Sequence, residues 1–70
     1  MEALKQIINN EEIYNELVMK IINIMINNCN VESMYVIDTI QVLINHKTNK
    51  FLTYIECEEI YNSIKSNYLC

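Results

Sequence analysis

Not one of these 70 residues is glycine or proline. Those two residues supply most hairpin turns and most left-handed backbone positions, so a β fold built on tight turns is not expected. Helices remain. Asparagine, which is abundant here and tolerates the left-handed region, takes over the turning. The fold expected is all-α: a small bundle of three main helices plus a short N-terminal one, forming a single helical domain over residues 1–70.

Caps and apolar spacing place four segments. The first runs from about Glu2 to Ile8, with Leu4, Ile7 and Ile8 on one side. "NNEE" (Asn9 to Glu12) reads as a restart. Asn9 or Asn10 caps it, and both Glu fall in the first turn, where the helix dipole favours negative charge. One continuous helix from Glu2 to Asn28 is the alternative. The second segment covers about Glu11 to Asn28. The third follows "NCN", with Asn30 as cap and Glu32 in its first turn, and ends near Ile44. Asn45 to Lys50 ("NHKTNK") is a polar loop. The fourth opens in "LTYIEC": Thr53 caps, Glu56 stands at the capping-box position, and Leu52 and Cys57 hold the two staple positions. It runs to about Asn67.

At about 100° per residue, the fourth segment has one apolar side, made by Cys57, Ile60, Tyr61, Ile64 and Tyr68. Its polar side carries Glu58, Asn62, Lys65 and Ser66. The third has a core stripe of Val36, Ile37, Ile40, Leu43 and Ile44. Val31, Tyr35 and Val42 gather nearly opposite that stripe, covered by a partner, by the first segment or by a chain end. In the second, Ile13, Tyr14, Leu17, Val18, Ile21, Ile24 and Met25 form the main stripe, with Cys29 at its edge. Ile22 borders it, and Met19 and Ile26 lie beyond.

That arc is wide for a helix in so short a chain. It fits either a central helix packed against the first segment or one partly covered by another chain. A domain this small buries about 60% of its unfolded surface and is marginal in stability. Each buried aliphatic contributes roughly 1.5–3 kcal/mol, so leaving three in water is costly. Met19, Ile22, Ile26, Val31, Tyr35 and Val42 are therefore the candidate interaction surface, for a protein partner, for a second copy in a homodimer, or both.

Composition limits the other classes. Nine carboxylates against five Lys, with no Arg, give a formal charge of −4. A phosphate-gripping protein needs a basic patch, so direct nucleic-acid binding is not expected. No apolar run reaches the ~20 residues of a membrane span. Glu2 and Lys5 interrupt any signal-peptide pattern. Three scattered cysteines fit free thiols in a reducing, cytoplasmic setting, with Cys29 and Cys57 buried and Cys70 exposed. The enrichment in Asn, Ile, Lys and Tyr follows A/T-rich codons and points to a bacterial, phage or viral genome poor in G and C.

No cofactor, metal or catalytic site is expected. Cys29, His46, Cys57 and Cys70 lack the short pair spacings of a zinc site. One histidine in a Lys-rich loop has no partner set for nucleophilic catalysis. Asn45 to Glu56 resembles an EF-hand loop in length, with Leu52 eighth and Glu56 twelfth. Lys47 stands third and Lys50 sixth, where the motif wants an oxygen ligand and glycine, so calcium is not expected. Glu56, Glu58 and Glu59 serve capping and the helix dipole, or a basic partner. The function expected is a small acidic protein that binds another protein as a regulator, inhibitor or adaptor. The alternative is a homo-oligomeric assembly subunit with no separate target.

Overall fold

The computed structural model describes residues 4–5 and 8–68, and among these residues the chain is all-helical, with no strand. Three helices follow one another: α1 (Glu11–Asn27), α2 (Ser33–Thr48) and α3 (Tyr54–Tyr68). The segment expected over Glu2 to Ile8 lies largely outside the described residues, as does Cys70. Of that segment, Leu4 and Ile8 are buried in the core, and the Ile8 N–H donates to the Leu4 carbonyl at 3.0 Å.

α1 starts where the restart was read. Asn10 is extended, and its side-chain oxygen accepts from the N–H groups of Glu12 (2.9 Å) and Ile13 (3.2 Å). An extended Asn10 rules out one helix from Glu2 to Asn28. Asn28 closes α1, with its side-chain amide donating to the Ile24 carbonyl at 2.7 Å.

α2 departs from expectation at both ends. It begins at Ser33, with Glu32 rather than Asn30 at the cap position and no side-chain capping bond. It then continues through Asn45 to Thr48, a full turn past Ile44. Nothing in "NHKT" breaks a helix, and His46 and Lys47 in the last turn suit the negative end of the dipole. Thr48 returns its hydroxyl to the Ile44 carbonyl at 2.7 Å. Asn49 then turns left-handed at φ 55°, the helix-stop conformation that glycine would otherwise supply.

The capping box of α3 forms as read. Glu56 accepts from the Thr53 N–H and hydroxyl (both 3.0 Å), and the Glu56 N–H donates to the Thr53 hydroxyl at 3.3 Å. Glu56 is thereby committed to the helix start. Leu52 and Cys57 are both buried, as a staple requires. The backbone of Leu52 is satisfied from α2: Gln41 Nε2 donates to its carbonyl at 2.8 Å, and its N–H donates to Asn45 Oδ1 at 3.4 Å. These two bonds tie the start of α3 alongside α2.

One core unites the helices. Leu17, Val18, Ile21 and Met25 of α1 meet Val36, Ile37, Ile40 and Ile44 of α2 and Cys57, Ile60 and Ile64 of α3. Leu4, Ile8 and Leu52 close its ends. Among the described residues no helix is long and apolar enough to cross a membrane.

Candidate functional site

The wide apolar arc of α1 divides in the structure. Leu17, Val18, Ile21 and Met25 are sealed, while Tyr14, Ile22 and Ile24 are half-buried against the core edge. Met19 and Ile26 remain 57% and 53% exposed. They sit two turns apart, about 135° around the helix from the sealed stripe at 100° per residue. The core thus reclaims Ile22 from the expected surface and leaves Met19 and Ile26 outside. Ile13, read as core, is exposed at the first turn. Cys29, also read as core, is exposed because α1 has ended two residues earlier.

The expected outer row is exposed, Tyr35 and Val42 on α2 and Val31 just before it. Val42 is 68% exposed, and Met34, next to Tyr35 in sequence, is exposed too. Leu4 and Ile8, the described apolar residues of the first segment, pack into the core rather than over this row. Between Tyr35 and Val42 lie Asp38 and Thr39, the latter donating its hydroxyl to the Tyr35 carbonyl at 3.0 Å.

Two further large exposures were missed by the sequence reading. Phe51 is 74% and Ile55 67% exposed, with Tyr54 between them partly open. The signal for Ile55 was present: it falls about 170° from the Cys57–Ile60–Ile64 stripe at 100° per residue. Phe51 is exposed beside buried Leu52, in the connection between α2 and α3. Tyr68, read as core, is exposed at the end of α3.

The electrostatics join α2 to α3. The Tyr54 phenol is pushed above its ordinary range, first by desolvation and then by the carboxylates of Glu58 and Asp38. Glu58 follows Tyr54 by one turn of α3, and Asp38 acts from α2, which Gln41 and Asn45 tie to Leu52 just before α3.

The α1–α2 boundary offers a contrast. Ile13, Glu16, Leu17, Lys20 and Lys47 line a cleft of about 220 Å³. Glu16 pairs with Lys20 at 3.3 Å. The Lys20 side chain also meets Lys47, and this encounter between two ammonium groups holds Lys47 below the usual lysine range. The space falls short of the roughly 300–1,000 Å³ typical of small-molecule pockets. Among the described residues no group of three His, Cys, Asp or Glu side chains comes together to hold a metal ion. No protein-family model, curated protein or solved structure matches the chain.

Proposed function

We propose that this protein acts by binding another protein, as a small regulator, inhibitor or adaptor without a catalytic step of its own. The observation that carries the reading is the placement of large apolar groups on outer helix faces while the core is already closed. Met19 and Ile26 on α1, and Tyr35 and Val42 on α2, each repeat over seven residues on the side away from the core. Scattered surface apolars are ordinary; rows of them along a helix are the pattern of a contact face. Occlusion is the proposed mode of action, with the net charge of −4 steering approach towards a basic partner.

Light scattering and affinity capture from the source cells test this together. Met19→Ala with Ile26→Ala, and separately Tyr35→Ala with Val42→Ala, should keep helicity and lose captured partner on at least one face. Unchanged capture and unchanged mass for both double variants would refute the reading. A closed oligomer that captures nothing would instead support a homo-oligomeric assembly subunit.

A further inference from the structure

Lys20 belongs to α1 and Lys47 to the last turn of α2, yet both line one cleft, about 220 Å³, together with Ile13, Glu16 and Leu17. Two ammonium groups in contact repel, and each disfavours the charge of the other; Lys47 sits below the usual lysine range for that reason. One carboxylate answers the pair. Glu16 takes Lys20 at 3.3 Å, and its side chain is the more exposed of the two. Among the described residues no carboxylate comes within salt-bridge reach of Lys47.

The cleft continues beyond Ile13. An adjoining space of about 280 Å³ shares Ile13 and Lys47 with it and passes Ile8, Asn9, Asn10 and Thr48. No carboxylate lines this continuation. Ile13 is 45% exposed, so an apolar patch stands beside the ammonium pair. Two lysines against one glutamate leave the joined lining positive by one charge, in a chain whose formal charge is −4. Lys5 and Lys65 lie over the rings of Tyr14 (5.8 Å) and Tyr61 (6.0 Å) and line neither space.

We infer that the Lys20–Lys47 cleft binds a small monoanion, a carboxylate on a short aliphatic stem, its oxygens on the two ammonium groups and its stem on Ile13. Charge sets the head group. One added negative charge neutralises the lining, whereas a phosphate dianion exceeds it and faces Glu16. A carboxylate has two oxygens to accept with, and each ammonium has donors to spare, so one anion satisfies both lysines and relieves their repulsion. Volume sets the stem, because the cleft is smaller than the roughly 300–1,000 Å³ that drug-sized ligands occupy. The same chemistry comes from a free short-chain acid or from the end of a peptide with an aliphatic last residue. Neither lysine belongs to the rows at Met19 and Ile26 or at Tyr35 and Val42, so this site is independent of the protein contact proposed above.

The test titrates the full chain with butyrate, butyramide, inorganic phosphate and an acetylated peptide ending in valine, its terminus free or amidated, and follows amide chemical shifts at neutral pH and low salt. Butyrate should shift the amides of Ile13 to Lys20 and of His46 to Thr48 saturably, while butyramide leaves them unmoved. Phosphate should bind at least threefold more weakly than butyrate, and high salt should weaken butyrate several-fold. Lys20→Met and Lys47→Met should each weaken butyrate at least fivefold with helicity retained, since neither side chain is buried; Lys50→Met should change nothing. If the free-terminus peptide binds tighter than butyrate and its amide does not bind, the occupant is a chain end; if butyrate binds tighter, it is a free acid. Either result supports the site. No saturable shift at tens of millimolar butyrate, shifts centred elsewhere, equal binding of butyramide, tighter binding of phosphate, or unchanged affinity in both Lys→Met variants would each overturn it.

Discussion

Cys57 and Cys29 carry the same side chain and are expected to behave as different chemicals. Cys57 has no exposed surface, and burial, with help from Glu56, pushes its thiol up to about 11. Cys29 is exposed beyond the end of α1. In a Cys70→Ser background, a thiol-specific dye at pH 8 should label Cys29 promptly and Cys57 only on unfolding, because the reactive species is the thiolate and the site must open. Stability should respond to pH in the same sense. The unfolded thiol ionises near 9 and the folded one only near 11, so the unfolded state holds fewer protons in that window and stability falls as pH rises through it. Tyr14 and Tyr54, also raised, add to the fall with the same sign. Urea midpoints at pH 8 and pH 10.5 should therefore differ less for Cys57→Ala than for the unmodified chain.

Helix ends show where short-range chemistry suffices and where it does not. The caps of α1 and α3 were legible because Asn10 and the Thr53–Glu56 pair bond only to atoms two or three residues away. The start of α2 was not, because Glu32 caps without a side-chain bond while Asn30 looked the better candidate on composition. Asn10→Ala should cost about 1 kcal/mol. Glu32→Asp should raise stability by up to about 1 kcal/mol, since a shorter carboxylate at an N-cap can reach the open N–H groups. Both are read from thermal or urea unfolding. The overrun of α2 past Ile44 has the same lesson in reverse. A polar run without glycine or proline is no reason to stop a helix, and Thr48 and Asn49 supply the actual stop.

The whole molecule is small enough that its core and its surface compete for the same residues. The Cα radius of gyration, 11.0 Å, matches the roughly 11 Å of a compact chain of this length, so the exposed apolar rows are not the consequence of a loosened fold. Stability should concentrate accordingly. Ile40→Ala, at a fully buried position, should cost about 2–5 kcal/mol, comparable with the roughly 3–5 kcal/mol a core of this size supplies. Circular dichroism should find that variant largely unfolded. Val42→Ser should stay within about 0.5 kcal/mol of the unmodified chain in the absence of partner. A large loss at Val42 would mean that the row serves folding.

Without glycine or proline, and with apolar residues at helical spacing, the chain had no alternative to helices, and its core stripes on α2 and α3 followed from local periodicity. The half-burial of Ile22 and the release of Ile13, Cys29 and Tyr68 were decided only in three dimensions. Periodicity gives the angle of a side chain about its own helix. Whether another element stands there to cover it depends on how the helices end and cross, and those crossings are set by contacts between residues far apart in the chain.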